Sequence, residues 1–289
     1  MTMQELCECH GHIFMDGADY RTAKERHSHG PSEAAICENL RKLSCVGVTY
    51  YRDGGDDLGV SLRAKSLAAD FGMEFVTPAF AIHRRGRYGS IVGKCYETLS
   101  DFRSLVETVR AAGGDFIKIM FSGIMRFDEQ RPLSCPSLEE EEIISLVSAA
   151  HDAGMPVMAH VNGADAVLAA VKAGTDSIEH GYYTDDACLE AMAASGCIWV
   201  PTLAAVEAFV NREGIDTAVV QKVLQHQLRQ VGKAVSLGIP VASGSDAGAV
   251  GVAHGGGILR ELHLLESAGI DQKQICCANA HLRARFARN

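Results

Sequence analysis

Short apolar runs rich in β-branched residues alternate along the chain with longer segments whose apolar positions have a helical period. This alternation is typical of βα units, in which each strand of a parallel sheet is followed by a helix. The pattern predicts eight strands, at residues 6–13, 46–52, 74–82, 115–121, 156–161, 176–180, 198–203 and 241–245.

A helical pattern follows each predicted strand. Ser32 is a candidate N-cap for the first helix, and residues 16–31 and 84–93 are predicted to be loops. The predicted helical regions are 32–43, 58–71, 100–112, a segment that opens at 139–142, 163–173, 185–194, 204–237 with a break at Gly214, 258–267 and 271–286. Eight strand–helix pairs predict an α/β protein that is a single (β/α)8 TIM barrel, with residues 1–289 as one domain.

Composition narrows the classes of partner. Of the 289 residues, 47% are hydrophobic and 22% are charged, which suits a globular protein with a full core. The formal net charge is −9 without a block of Lys or Arg, which argues against nucleic acid or an anionic membrane and favours a small-molecule substrate. No apolar run reaches the ~18 residues of a membrane span. The first residues lack the pattern of a signal peptide, and the 10 cysteines include no Cys-x-x-Cys pair, so we expect reduced thiols in a cytoplasmic protein.

Candidate chemistry begins with His10 and His12 on the first predicted strand. Residues i and i+2 of a strand share a face, so both imidazoles can bind one metal ion from the same side. Active groups of TIM barrels lie at the C-terminal ends of the strands, and polar side chains end several later strands. Each alone has an ordinary explanation, such as a satisfied core histidine, a lysine that reaches solvent or an aspartate helix cap. Together they predict a metal site: Lys118, His160, His180 and Asp246.

This set of residues resembles the amidohydrolase superfamily, whose members are metal-dependent hydrolases built on this barrel. The family pattern is His-x-His on strand one, Lys on strand four, His on strands five and six, and Asp on strand eight, and every member is present in order. The segments 52–55 and 254–262 are similar to the branch that contains imidazolonepropionase-like and Xaa-Pro dipeptidase-like proteins.

The resemblance implies two divalent metal ions, with zinc as the first candidate. Lys118 would be carboxylated by CO2, because a lysine amine beside two dications is unfavourable whereas a carbamate offers two anionic oxygens. A hydroxide that bridges the metals would attack the substrate, and Asp246 would be the catalytic residue that passes the proton to the leaving nitrogen. The implied ligands are His10, His12 and Asp246 for one ion, His160 and His180 for the other, and Lys118 between them.

Four residues in the predicted loops are candidates for substrate contacts. His83 and Arg85 follow strand three and form either a carboxylate clamp or part of a solvated basic loop. Tyr183 follows strand six and is either a hydrogen-bond donor to the substrate or rim packing. His254 follows strand eight and is either a substrate contact or an ordinary polar loop residue.

We therefore expect a binuclear metal-dependent hydrolase that cleaves the C–N bond of a dipeptide, an N-acyl amino acid or a cyclic amide. Two alternatives stay open: a lactonase or phosphoesterase that uses the same site, and a metal-binding barrel without catalysis. Family members usually carry a small flanking β-sandwich, but little chain precedes His10 or follows Asp246. The expectation is a barrel without that sandwich, with a homo-oligomer covering the face left open.

Overall fold

The computed structural model describes residues 5–287, and these residues form two sheets in which every strand pairing is parallel. The smaller sheet has the order β1 (Leu6–Gly11), β2 (Val48–Asp53) and β3 (Glu74–Val76). The larger sheet has the order β5 (Gly93–Tyr96), β4 (Ala81–Arg84), β6 (Ile117–Met120), β7 (Val157–Val161), β8 (Ser177–His180) and β9 (Ile198–Val200). No third sheet occurs among residues 5–287.

Helices cover the sheets and explain why the strands are so apolar. All five residues of β7 are buried, as expected for a parallel strand with helices over the sheet. The first turn of α5 carries Glu140, Glu141 and Glu142, which suit the positive end of the helix dipole. A single-turn 3-10 helix, Ala68–Phe71, follows α3. The α-helices are α1 (Tyr20–Arg26), α2 (Glu33–Cys45), α3 (Val60–Leu67), α4 (Leu99–Ala111), α5 (Glu140–Asp152), α6 (Ala164–Lys172), α7 (Asp186–Ser195), α8 (Leu203–Glu207), α9 (Thr217–Ser236), α10 (Gly256–Ser267) and α11 (Gln272–Phe286).

The eighth predicted strand, residues 241–245, is not a regular strand. Val241 forms a parallel bridge with Trp199 of β9, and Ala247 forms one with Gly11 of β1, so the segment lies between β9 and β1. The ladder between these bridges is interrupted because side chains take backbone N–H groups within it. The Asn279 side chain accepts the Ser243 N–H at 2.9 Å, and the buried Glu8 carboxylate accepts the Ser245 N–H at 2.7 Å.

The prediction of one continuous third strand at 74–82 is also wrong. The chain leaves the ladder after Val76 and bends at Ala79, whose φ of 62° lies in the left-handed region. Before the bend, the Thr77 carbonyl accepts the Asp115 N–H at 2.8 Å, which links the smaller sheet to the segment that leads into β6. After the bend, the chain returns as β4 beside β6.

Two further elements were missing from the sequence prediction. Helix α1 lies inside the predicted loop 16–31, where Asp19 accepts the N–H of Arg21 and Ala23 is buried. Strand β5 follows the predicted loop 84–93 and pairs with β4. Both elements are short and depend on tertiary contacts more than on local propensity.

The architecture is a TIM-barrel-like α/β fold, and it brings the C-terminal ends of the strands to one rim. No helix within residues 5–287 combines the length and the apolar character needed to cross a bilayer. All 10 cysteines are free thiols.

Candidate metal centre

The six predicted metal ligands converge at this rim from five segments of the chain. His10 lies in β1 and His12 follows it, Lys118 lies in β6, His160 in β7, His180 at the end of β8, and Asp246 after the segment that lies between β9 and β1. The four imidazoles and the lysine are buried, and the Asp246 side chain is 16% exposed. Residues up to 236 positions apart therefore share one small volume.

The Asp246 carboxylate lies close to the nitrogens of two of these histidines. Asp246 Oδ1 lies 3.5 Å from His12 Nε2 and 3.8 Å from His10 Nε2. One donor atom from each of His10, His180 and Asp246 fits within 4.8 Å of the others. Burial raises the pKa of Asp246 to about 6, and the nearby Lys118 opposes that rise.

Lys118 enters the same cluster from β6. Its Nζ is 3.2 Å from His10 Nε2 and 3.5 Å from His12 Nε2, so its amine can donate to both rings. Burial lowers the pKa of Lys118 to about 8. The amine therefore lies among the atoms that would bind a cation rather than reaching solvent.

His160 and His180 complete the cluster on the neighbouring strands. Their ring centroids are 4.6 Å apart, and the His180 ring is 4.9 Å from that of His10. Burial lowers the pKa of His160 to about 3 and that of His180 well below its ordinary value, so both rings are neutral near pH 7. Neutral imidazole is the form that binds metal ions.

A buried ion pair orients His10. The Glu179 carboxylate is 2.6 Å from His10 Nδ1, and its other oxygen accepts hydrogen bonds from Arg52 at 2.7 Å and from the Ser177 hydroxyl at 2.5 Å. Glu179 and Arg52 are both completely buried. An Nδ1–H that donates to Glu179 leaves the Nε2 lone pair of His10 directed at Asp246 and Lys118.

The Thr202 hydroxyl orients the His180 ring in the same way. Thr202 Oγ1 lies 2.8 Å from His180 Nδ1, and the Tyr182 hydroxyl lies 2.8 Å from the same oxygen. The His180 carbonyl accepts hydrogen bonds from Trp199 at 3.0 Å and Gln227 at 2.6 Å. The ring and the backbone of His180 are thus both held in place.

The backbone at two of the ligands is strained. His180 has φ 65° and Asp246 has φ 63°, in the left-handed region that L residues adopt at a cost of roughly 1–3 kcal/mol. At Asp246 a 2.8 Å hydrogen bond from its N–H to the His10 carbonyl stabilises this backbone conformation. Such strain is common where a side chain must be aimed at a reacting group.

The chemistry of the donor set fits divalent metal ions. Asp246 Oδ1 is buried and has no hydrogen-bond partner among residues 5–287, although buried carboxylate oxygens are normally satisfied. Imidazole nitrogens and carboxylate oxygens are the ligands of zinc and other first-row divalent cations. A bound cation would satisfy the unpaired carboxylate oxygen and the free Nε2 atoms at once.

A cavity of about 560 Å³ opens in front of this cluster. His12, Lys118, His160, His180 and Asp246 form its polar end. The remaining walls are mainly apolar and aromatic and come from the loops after the strands. A site with a few convergent polar groups at the end of an apolar cleft is typical of small-molecule binding.

The four predicted substrate contacts do not line this cavity. His83 is buried, with Nδ1 3.0 Å from the Arg84 carbonyl, and Arg85 is exposed and paired with Glu97. His254 is buried, with its Nε2 2.9 Å from the Met15 carbonyl.

Tyr183, the fourth, is half-buried, and its hydroxyl donates to the Arg126 carbonyl at 3.3 Å. It therefore contacts a loop that lines the cavity rather than the cavity itself.

Sequence reasoning missed three residues that matter to the geometry. An acid such as Glu179 inside an apolar strand signals a buried partner, and Arg52 in β2 was the available cation. Thr202 carried no comparable signal, because a threonine after a strand is common. Glu179 and Thr202 each form a hydrogen bond with a histidine that is distant in sequence, and Arg52 donates to the Glu179 carboxylate.

Comparison with known proteins assigns most of the chain to one family. The family model described as "Amidohydrolase family" matches residues 6–276. An ochratoxinase from Aspergillus niger is 27% identical over 276 residues, which cover 84% of this chain and 57% of the relative, so this chain spans little more than half the relative's length.

Solved structures show the same fold. A crystal structure of a Xaa-Pro dipeptidase with bound methionine has a TM-score of 0.77 at 23% identity, over 98% of this chain and 75% of that one. A prolidase complexed with N-methylphosphonate-L-proline has a TM-score of 0.70 at 22% identity, over 92% of this chain and 75% of that one. The match to the family model extends from the first strand to the last helix and takes in every residue of the metal cluster, and on that basis the chain belongs to the amidohydrolase family.

Proposed function

We propose that this protein is a metal-dependent hydrolase that cleaves an amide C–N bond. The observation that carries the proposal is the cluster of four neutral imidazoles, one buried amine and one unpaired carboxylate oxygen at the end of a cavity. Membership of the amidohydrolase family supports it. Two structural neighbours are named as a Xaa-Pro dipeptidase and a prolidase, names that denote cleavage of a peptide bond.

Two divalent ions, with zinc as the first candidate, fit the donor atoms. His10, His12 and Asp246 would hold one ion, His160 and His180 the other, and a carboxylated Lys118 would bridge them. When bound, such ions make a coordinated water nucleophilic near neutral pH and polarise the substrate carbonyl. A carbamate on Lys118 is supported by the position of its Nζ, 3.2 Å from His10 Nε2 and 3.5 Å from His12 Nε2. A protonated lysine amine at that position would be repelled by metal ions bound to the same rings, whereas a carbamate would attract them.

The chain's own residues then orient the substrate and move a proton. Asp246 Oδ1 has no hydrogen-bond partner in the described part of the chain, so it can accept a proton from the attacking water and deliver it to the leaving nitrogen. Glu179 and Thr202 hold the rings of His10 and His180 with their Nε2 atoms toward the site. The apolar walls exclude competing water from the reacting bond.

The variant Asp246→Asn tests the proton transfer. It keeps the shape of the side chain but not its basicity, and we expect a loss of about 10²–10⁴-fold in kcat with much of the metal retained. Asp152→Asn, which changes an exposed acid at the end of α5, is the matched control and should leave kcat unaltered. A D246N variant that is as fast as the parent would contradict the role of Asp246.

The bond that is cleaved is tested with a substrate panel. N-acyl amino acids, dipeptides, cyclic amides, lactones and phosphotriesters are compared with protein whose metal content is known from elemental analysis. Hydrolysis of the amides alone or foremost is expected. Turnover restricted to lactones or phosphotriesters would refute the amide assignment, and a metal-loaded protein that hydrolyses none of them would be a non-catalytic barrel.

We also infer a closed barrel of eight segments, with residues 241–247 as the eighth. This is supported by the bridges Trp199–Val241 and Gly11–Ala247 on one side and by the hydrogen bond between Asp115 and Thr77 on the other. The single domain over residues 1–289, the absence of a flanking sandwich, the cytoplasmic location and the homo-oligomer stay predictions. A small molecule as the only partner also stays a prediction.

A further inference from the structure

The segment that follows β6, residues 121–135, is an ordered hairpin at the mouth of the cavity. Met125 and Leu133 form an antiparallel bridge, and the Arg126 N–H donates to the Pro132 carbonyl at 2.6 Å. A side chain at Gly123 would begin 2.5 Å from the Cys135 backbone nitrogen, so the two arms of the hairpin are in close contact. The hairpin therefore presents its inner residues in a defined geometry.

Five consecutive residues of the hairpin, 124–128, line the cavity. Phe127 packs against Phe209 with ring centroids 4.9 Å apart, which joins the hairpin to the loop after α8. Tyr88 also lines the cavity, with its ring 5.1 Å from that of His160. The space beside the metal cluster is thus bounded by aromatic rings and suits a bulky apolar group.

Arg126 brings a positive charge to this apolar cavity. Its guanidinium makes no ion pair with any of residues 5–287, whereas Arg84 is paired with Glu142 and Arg85 with Glu97. The carboxylate clamp predicted at Arg85, on the loop after strand three, stays a prediction, and Arg85 does not line this cavity. Apart from Lys118 in the metal cluster, Arg126 is the only lysine or arginine that lines the cavity among the described residues.

Two acidic residues that line the cavity, Asp128 and Asp216, accept hydrogen bonds from backbone N–H groups and form no ion pair with Arg126. Asp128 Oδ1 accepts the N–H groups of Gln130 and Arg131, at 2.9 Å and 3.2 Å. Asp216 Oδ1 accepts the Ala218 N–H at 2.8 Å and caps α9. A planar guanidinium left without an acidic partner at the mouth of an apolar cavity is suited to bind a carboxylate in a bidentate manner.

Tyr183 links this arginine to the strand that carries His180. Its hydroxyl donates to the Arg126 carbonyl at 3.3 Å, and its own backbone is held at φ 66°. The Tyr183 hydroxyl therefore contacts the hairpin, and Tyr183 does not line the cavity.

We propose that Arg126 binds a carboxylate of the amide substrate while a bulky apolar group of that substrate packs against Phe127 and Phe209, and that Tyr183 is a positioning residue for Arg126. The inference rests on the proposed function and narrows its substrates to amides that carry both groups. N-acyl derivatives and dipeptides of large apolar amino acids belong to this class. Cyclic amides without a carboxylate do not.

The experiment compares two compounds that differ only in the carboxylate, N-acetyl-L-phenylalanine and N-(2-phenylethyl)acetamide. The full chain, loaded with zinc, is assayed for kcat and KM, and dissociation constants are measured by calorimetry. The variant Arg126→Gln removes the charge. Arg131→Gln, on the same hairpin and exposed like Arg126 but outside the cavity lining, is the matched control.

We expect R126Q to raise the KM and the dissociation constant of N-acetyl-L-phenylalanine about 10- to 100-fold, the size of a charge-assisted hydrogen bond. Both constants should be unchanged for the uncharged compound, and R131Q should change neither. Tyr183→Phe, which removes one hydroxyl, should weaken binding of the acid several-fold with kcat preserved. N-acetylglycine, which lacks the benzyl group, should bind at least about 10-fold more weakly.

Equal effects of R126Q on both compounds, or no effect on the acid, would overturn the role of Arg126. Failure of the proposed function gives a different result. If the wild-type protein binds N-acetyl-L-phenylalanine in an Arg126-dependent manner but hydrolyses no amide, the binding inference stands and amide hydrolysis is wrong. If the wild-type protein binds the acid no more tightly than the uncharged compound, the binding inference is wrong whatever the activity.

Discussion

The variant Glu179→Gln tests whether the buried charge next to His10 supports metal binding. Glutamine keeps nearly the same volume, and its amide oxygen can still accept the His10 Nδ1 hydrogen that the carboxylate now accepts across 2.6 Å. What the variant removes is the negative charge. It therefore separates the electrostatic effect of Glu179 on the ligand from its effect on the orientation of the ring.

Two magnitudes follow from the contacts. Loss of a carboxylate that supports a ligating histidine typically weakens metal binding 10- to 100-fold, which is roughly 1.4–2.7 kcal/mol. Arg52 would lose its ionic partner although both side chains are fully buried, and breaking such a pair costs about 3–5 kcal/mol. Arg52 keeps its hydrogen bonds to the Cys9 carbonyl at 2.7 Å and to Ser177 at 2.8 Å, so we expect a loss of stability of about 3 kcal/mol.

Metal affinity is measured by competition with a chromophoric chelator, and stability by urea unfolding of the metal-free protein. The matched control is Ser177→Ala, which removes the 2.5 Å hydrogen bond to Glu179 without touching His10. It should lower stability but leave metal affinity within a few-fold of the parent. Wild-type metal affinity in a folded E179Q variant would refute the reasoning, because the negative charge of Glu179 would then have no effect on metal binding by His10.

Three further predictions concern other parts of the molecule. His151→Gln removes the titratable charge of an imidazole whose Nε2 lies 2.8 Å from Asp176, a contact that raises the pKa of His151. Because the folded-state pKa is raised, the stabilisation is present below the unfolded pKa of about 6.5 and is lost as the pH rises through the higher folded value. The wild-type advantage in urea midpoint should thus be larger at pH 5.5 than at pH 8.5, and a pH-independent advantage would contradict this. Gly54→Ala places a Cβ 2.2 Å from His12 Cε1 and should lower the metal content by displacing the ring. Gly256→Ala, which has open space around it, should leave the metal content unchanged, and elemental analysis of the folded variants measures the difference. Removal of metal by a chelator should lower the midpoint of thermal unfolding, and added zinc should restore it. A ligand present at about 1,000 times its Kd stabilises the folded state by about 4 kcal/mol. An unchanged midpoint in calorimetry would count against the metal centre.

The candidate ligands could be predicted because they depend on local and periodic properties. A two-residue period places His10 and His12 on one side of a strand, and buried parallel strands are apolar enough to be located from the sequence. Parallel strands of a barrel end at the same rim, so polar residues at the ends of several strands are expected to meet there. The structure brings Lys118, His160 and Asp246 to that rim with them.

Other features were decided by contacts between distant parts of the chain. The ladder at 241–245 is interrupted because Glu8 and Asn279 take its N–H groups, and neither residue is near it in sequence. The partner of Glu179 is Arg52, 127 positions away, a pairing that no local pattern encodes. Sequence by itself thus determined most of the succession of strands and helices and the candidate metal ligands, because burial and periodicity are properties of short segments. Tertiary structure alone decided how those ligands are supported and which arginine faces the cavity, because hydrogen bonds and ion pairs require side chains that meet only after folding.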